Sequence, residues 1–381
     1  MDFRLSADQQ LLRRSVREFA ETEMRPHVRE WDETQHFPVE LMPRLGELGL
    51  LGIQTPEAYG GAAMSAVDYC ICIEELARVD PAVALSVAAH NGLCSAHILL
   101  FGNESQKLQY LPPLAAGERI GAWGLTESTS GSDAAGMRTA AARAGECWVL
   151  NGSKTFTTHG RVGHIMVTMA VTDRAAGRKG ISAFIVEHGT PGMTPGKKED
   201  KLGMRASDTS EVLFENCRIP ADHLLGEEGQ GFVGAMQVLD AGRIGIAALS
   251  VGLAQGAYEA ALRYAQERKA FGRTISAFQA IQWKLADNAT RIEAARLLTY
   301  RAASLKDRGA GRTTLESSIA KLYASETAVR AADDCVQIHG GYGFVKDYPA
   351  EKFFRDVKLT TIGEGTSEIQ RLVIARQLLA R

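Results

Sequence analysis

Three successive stretches of helical periodicity late in the chain, Ile244 to Glu267, Gln279 to Asp307 and Thr314 to Ile338, constrain the fold more than any other feature. Each exceeds about 20 residues, beyond the ~10–14 of an ordinary globular helix. Helices of that length, apolar at every third or fourth position, bury their stripes against one another as a bundle. The first part of the chain is helical in shorter pieces. Leu11, Leu12, Val16 and Phe19 share one face, and Leu41, Leu45, Leu48 and Leu51 continue the spacing. Pro56, Gly60 and Gly61 mark a loop. Ala66 to Val79 and Ala82 to Leu100 read as two more helices, the second largely buried, and Ser105 to Leu114 as a further short one. Ser6 and Gln9 form a capping box. Order is therefore expected to begin almost at residue 1, with no signal peptide in Met1 to Ser6 and a cytoplasmic location.

Between the helical regions the period changes near Gly121. Trp148-Val149-Leu150 and Lys154 to Thr157 flank Asn151-Gly152, which predicts a hairpin. His164 to Val171, Ile181 to Val186 and Glu211 to Phe214 are further strands. The expected fold is mainly α with a central β domain. A helical region covers residues 1–117, the β domain 118–225 and a helical bundle 226–381.

Composition narrows the function by exclusion. A net charge of -2 gives no reason to expect nucleic acid or an anionic membrane as partner. No apolar run is read as reaching the roughly 20 residues that span a bilayer. The six cysteines are scattered, which suggests buried thiols in a reducing compartment. No zinc spacing, H-E-x-x-H or G-x-x-x-x-G-K-[ST] occurs, so no metal site is expected.

Four polar, glycine-rich segments remain. Leu125-Thr126-Glu127-Ser128-Thr129-Ser130-Gly131-Ser132-Asp133 is either a surface loop or one whose backbone approaches a phosphate or heterocycle. Arg268-Lys269-Ala270-Phe271-Gly272-Arg273 is either a solvated helix end or a set of cations for a diphosphate. Gln337-Ile338-His339-Gly340-Gly341-Tyr342-Gly343 ends a long helix with more glycines than a C-cap needs. In Gly363-Glu364-Gly365-Thr366-Ser367-Glu368-Ile369-Gln370, Ser367 and Gln370 read as a capping box, and Ile369, Leu372, Val373 and Leu379 as the next helix's apolar face. Glu364 is either electrostatic dressing for that helix or an uncrowded carboxylate facing a substrate.

Taken together, in this order and spacing, the four segments resemble the acyl-CoA dehydrogenase family over essentially the whole chain. The resemblance implies an N-terminal helical domain, a middle β-barrel-like domain and a C-terminal four-helix bundle. It implies FAD between the β domain and the bundle, a homotetramer built as a dimer of dimers, an acyl-CoA substrate and an electron-transfer flavoprotein as electron acceptor. Trp123, Leu125, Thr126, Gly131, Ser132, Phe156, Thr157 and Thr158 match the flavin-facing segments. Arg268, Phe271, Gln279, Gln337, Gly340, Gly341, Thr366 and Glu368 match the remaining FAD positions, of which Arg268 and Gln279 reach a neighbouring subunit's FAD. Ser132, Asp240, Arg243 and Gly365 match acyl-CoA contacts. Glu364 matches the base of the short- and medium-chain branches. One branch carries its base instead on the helix near Asp240, at a slot filled here by Gly242. The sequence departs from the pattern at Phe156, often Trp; at His159, often Asn; and at Gly363, often Tyr.

The implied reaction is α,β-dehydrogenation to a trans-2-enoyl-CoA, a β-oxidation step. Glu364 takes the α-proton while donors on the thioester oxygen stabilise the developing enolate. Alternatives on the same fold are an acyl-CoA oxidase or monooxygenase, an enoyl-CoA reductase, and a non-enzymatic scaffold.

Overall fold

The computed structural model describes residues 4–309 and 311–380, so the part of the opening-segment reading that rests on Met1, Asp2 and Phe3 lies outside it. Caps decide where the early helices start. Helix α1 (Ala7–Phe19) opens on the expected box: the Gln9 N–H donates to the Ser6 hydroxyl and the Ser6 N–H to the Gln9 side chain. After the short α2 (Val28–Thr34) and α3 (Leu41–Glu47), α4 (Ala66–Val79) opens on a second box, Ser65 with Asp68.

The helix expected over Ala82 to Leu100 is interrupted. It runs as α5 (Pro81–Ala89), a π turn over His90–Ser95, and α6 (Ala96–Phe101). Buried side chains around the turn bond outward. Asn91 donates to the Leu50 carbonyl at 2.8 Å, and His90 bridges the Leu114 carbonyl and the Gly121 N–H. Such bulges are frequent at functional sites, and this one carries Gly92 and Leu93 toward the site described below. Helix α7 (Glu104–Ala115) completes the region.

The middle of the chain forms an eight-stranded sheet in the order β6-β7-β3-β2-β4-β5-β8, with β1 also on β4. The strands are β1 (Gly121–Gly124), β2 (Ala140–Ala144), β3 (Cys147–Thr158), β4 (Ile165–Val171), β5 (Ile181–Glu187), β6 (Met193–Lys198), β7 (Thr209–Pro220) and β8 (Leu224–Leu225). The Asn151-Gly152 hairpin does not form. β3 runs straight through these residues, paired antiparallel to β7, and they occupy a register shift between Leu150 and Gly152. The Asn151 side chain accepts from the Asn216 N–H at 2.8 Å. Gly152, at φ +143°, lies so close to Thr139 that a Cβ would come within 2.6 Å of it. Here the glycine serves a bulge, not a turn.

Helix α8 (Gly231–Glu267) starts 13 residues before the expected Ile244. A two-residue hairpin of β9 (Lys269–Ala270) and β10 (Arg273–Thr274) links it to α9 (Gln279–Asp307), and α10 (Thr314–His339) follows. The short α11 (Ala350–Asp356) and then α12 (Ser367–Leu379) end the described chain. The α12 cap is Thr366, not Ser367: its hydroxyl accepts from the Ile369 N–H. The supposed apolar face of α12 is not covered, since Leu372, Leu378 and Leu379 are exposed.

One hydrophobic core joins the early helices to the C-terminal bundle, a second joins the π turn, β1, β4, β5 and the start of α8, and a third fills the sheet. Contrary to the expectation about apolar runs, Pro81–Phe101 and α8 are each long and apolar enough to cross a membrane. In each, 72% of the qualifying window is buried inside the fold, so the protein interior takes up their apolarity.

Candidate active site

Gly363-Glu364-Gly365 forms a turn at the head of α12, and Glu364 is held there at φ +51°. A non-glycine residue in that region is strained, and such strain persists where surrounding bonds over-determine it. Those bonds come from two buried side chains. Lys321 on α10 donates to the Gly365 carbonyl at 2.8 Å. The Gln370 amide donates to the carbonyls of Glu364 and Gly365 at 3.2 and 3.0 Å. Gln370 thus ties down the turn instead of capping α12. Glu364 as a residue is part-exposed, yet its Oε2 is shut from solvent and has no hydrogen-bond partner.

Below that oxygen lies α8 at Gly242, where a Cβ would overlap Oε2 of Glu364. Burial pushes the Glu364 carboxyl up to about 7, against the pull of Lys321 and Arg243. Burial also pushes Lys321 down to about 8, with Glu364 opposing it. A half-ionised carboxylate near neutral pH, enclosed and unbonded, is equipped to take a proton from an apolar ligand.

Asp240 and Arg243, one helical turn apart on α8, are both buried and form an ion pair at 2.6 Å. Asp240 also accepts from Arg312 at 2.6 Å and from Thr314 at 2.7 Å. The Arg243 Nε has no partner. Of the residues expected at the substrate, Asp240, Arg243, Glu364 and Gly365 therefore gather around one stretch of α8. Ser132 is exposed on the β domain.

The expected flavin-facing residues of the β domain form a second group. The Thr155 N–H donates to the Thr126 carbonyl at 2.8 Å, joining the segment after β1 to β3. Beneath this junction Lys154, fully buried, bonds Glu127 at 2.7 Å and the Leu125 carbonyl at 3.3 Å. Glu127 in turn accepts from the Arg138 and Thr139 N–H groups. Burial works against both charges: Lys154 together with the Thr139 and Arg138 donors more than offsets it for Glu127, held below its ordinary value, whereas Lys154 is still pushed down. A register shift between Lys154 and Thr157 turns Phe156 out at φ +53°, with 66% of it exposed. The hydroxyls of Thr155 and Thr157 are buried without partners, and Gly131 has open space around it. Thr158 pairs with Thr209 on β7. Trp123 is committed elsewhere through its indole N–H, which donates to His97 at 3.0 Å. His159, the second departure, is wholly buried. It bonds the Gly121 carbonyl at 2.9 Å and lies 5.1 Å from the Phe37 ring, joining the early helices to the sheet.

The remaining expected cofactor residues stand apart. Arg268, Gly340 and Gly341 line an open hollow of about 590 Å³ with Tyr264, His339 and Tyr342, and the Arg268 guanidinium lies over the Tyr342 ring. Gln337 and Gln279 are exposed, and Phe271 projects from the hairpin tip, 94% exposed. Thr366 and Glu368 line a separate groove of about 300 Å³ beside Glu326 and Lys358.

Lys321 was not singled out in the sequence. A signal was available: Ser317, Lys321, Ala324 and Ala328 share the buried face of α10, and a lysine on such a stripe needs a partner.

The chain matches the acyl-CoA dehydrogenase N-terminal domain over residues 6–118, the middle domain over 122–217 and the C-terminal domain over 229–379. It is 49% identical over 375 residues to an acyl-CoA dehydrogenase of Bacillus subtilis, covering 98% of this chain and 99% of that one. Among solved structures, butyryl-CoA dehydrogenase from Megasphaera elsdenii superposes with a TM-score of 0.97 at 43% identity, covering 100% of both chains. A chain from work on the electron transferring flavoprotein of Acidaminococcus fermentans superposes with a TM-score of 0.98 at 46% identity, again over 100% of both.

Proposed function

This chain belongs to the acyl-CoA dehydrogenase family of FAD-dependent oxidoreductases, and we propose that it oxidises a short acyl-CoA to the trans-2-enoyl-CoA with Glu364 as the α-proton base. The observation that carries this reading is the enclosed, unbonded Oε2 of Glu364 over the bare backbone of Gly242. The branch-alternative base position and Glu364 compete for one volume, and here the volume belongs to Glu364.

The residues of the β domain suit a planar, polar-edged cofactor. Phe156 offers an apolar face, the unpartnered Thr157 hydroxyl and the main chain around Gly131 offer hydrogen bonds, and Leu125 and Thr126 form the adjoining wall. FAD, when bound, supplies the acceptor for the β-hydride. The protein's own part is positional and electrostatic. Glu364 accepts the α-proton on its buried carboxylate, and its backbone N–H, which has no acceptor among the described residues, donates to the thioester oxygen. Lys321 and Gln370 fix the turn so that both groups are aimed before substrate arrives. Asp240, Arg243, Ser132 and Gly365 hold the CoA thioester.

A homotetramer belongs to this reading. Its support is that the hollow holding Arg268, Gly340 and Gly341 is lined by no β-domain residue, together with exposed Phe271, Trp283, Phe344, Leu372 and Leu378. So does an electron-transfer flavoprotein as acceptor, supported by the likeness to the Acidaminococcus chain. A cytoplasmic location accords with six unpaired thiols, five of them buried.

The test is anaerobic. Butyryl-CoA added to the FAD-loaded protein should bleach the flavin band, and Glu364→Gln should abolish the bleaching while retaining FAD. A variant that still bleaches at the normal rate would falsify the assignment.

A further inference from the structure

Tyr69 on α4 is 4% exposed, and its hydroxyl is buried with no hydrogen-bond partner. Leaving a buried hydroxyl unbonded forfeits its hydration with nothing in return, so the position calls for a reason. The hydroxyl sits against backbone stripped of side chains. A Cβ on Gly245 would stand 2.6 Å from it, and one on Gly92 would stand 3.4 Å from it and 3.9 Å from the Cα of Gly242. Gly242 is the residue whose missing Cβ makes room for Glu364, and Leu93 closes the same space from the π turn. Glu364 and the Tyr69 hydroxyl thus face neighbouring points on one side of α8. Gly242 and Gly245 are three residues apart, about 4.5 Å along the helix axis.

The phenol cannot easily withdraw. Further along, α4 packs on α8 backbone to backbone: a Cβ at Gly252 would overlap the Glu74 carbonyl, and one at Gly256 the Arg78 carbonyl. Interiors packed this closely are stiff, so the ring is fixed relative to Gly242 by the main chains of both helices.

We infer that Tyr69 is the end wall of the acyl pocket and limits the substrate to a short straight acyl chain. This rests on the reading of Glu364 as the α-proton base, because that fixes where the acyl chain begins. With the α-carbon beside Glu364, only a few further carbons fit before the tail meets the Tyr69 ring. The wall acts through its volume. The orphaned hydroxyl marks where the apolar tail must stop.

The test compares kcat/KM for butyryl-CoA and octanoyl-CoA on the FAD-loaded enzyme and on Tyr69→Leu and Tyr69→Phe. Tyr69→Leu should raise the octanoyl-to-butyryl ratio by about tenfold or more, since each methylene admitted is worth ~10–200-fold in discrimination. Tyr69→Phe keeps the ring and should leave the ratio unchanged. Should Tyr69→Leu not fold, Tyr69→Met, whose flexible side chain fills irregular space, should raise the ratio less but with the same sign. An unchanged ratio in a shortened variant that still turns over butyryl-CoA removes the wall and leaves the base assignment standing. A wild-type enzyme that oxidises neither ester removes both. A ratio raised as much by Tyr69→Phe as by Tyr69→Leu also overturns the wall, because volume would not be its cause.

Discussion

A Cβ on Gly242 and the Oε2 of Glu364 cannot coexist: the space one would need is held by the other. Gly242→Ala should therefore displace the carboxylate and lower kcat by about 10²-fold or more, approaching the 10²–10⁴-fold worth of a general base, with FAD content unchanged. The double variant Gly242→Glu with Glu364→Gly moves the carboxylate to the other side of the same space and should recover part of the activity lost in Glu364→Gly alone. Steady-state rates on the three proteins decide it; no recovery in the double variant means the two positions do not serve one substrate carbon.

The Glu364 carboxyl, raised from 4.5 to about 7 chiefly by burial, must be ionised to act. In the free enzyme kcat/KM should rise with pH and level off above about 7. The same shift has a stability consequence of opposite sign. Because the folded value lies above the unfolded one, its contribution is fully present below about 4.5 and is lost as pH rises through 7. Thermal unfolding should then show Glu364→Gln more stable than wild type at pH 8 and equal to it at pH 4. A difference that is the same at both values would contradict the burial of this group.

Lys321→Met removes both the donor to the Gly365 carbonyl and the cation that lowers Glu364. Its kcat/KM should fall and the pH limb should move above 7. A reduced rate with an unmoved limb would assign Lys321 to loop structure alone.

Arg268→Ala should weaken FAD retention, and loss of FAD should track loss of the tetramer, because a ligand shared between subunits stabilises both. Flavin absorbance across a sizing column tests this, and a monomer carrying full FAD would refute it.

Gly363 has room for a Cβ: the nearest atoms it would meet belong to Leu359, at 3.5–3.7 Å. Gly363→Tyr should depress kcat/KM for isobutyryl-CoA more than for butyryl-CoA, by about 1–3 kcal/mol, the cost of losing space for a methyl or methylene. Equal losses on both substrates would mean that residue 363 shapes the turn and not the pocket.

Much of this was legible because periodicity reports burial directly. The late helices α9 and α10 lie where their spacing puts them. The first third of α8 was hidden because its buried face carries Asp240 and Arg243, which pair with each other and so break the apolar pattern without breaking the helix. Asn151-Gly152 misled because the strongest hairpin pair is also a good bulge pair, and only the β7 partner decides between them. The proposed base was visible between two glycines. Its supports were not: Gln370, six residues on, reads as a capping partner and instead bonds the turn, and Lys321 comes from α10, with nothing local in the sequence to say that it reaches Gly365.

The Lys154–Glu127 pair has a practical consequence. It fastens the turn after β1 from beneath, through buried charges and through the Arg138 and Thr139 N–H groups, with no contribution from the face proposed to meet the cofactor. That turn accordingly keeps its shape when the cofactor dissociates. The amides of this turn should therefore stay as protected from hydrogen exchange in the stripped protein as in the loaded one, whatever its state of assembly.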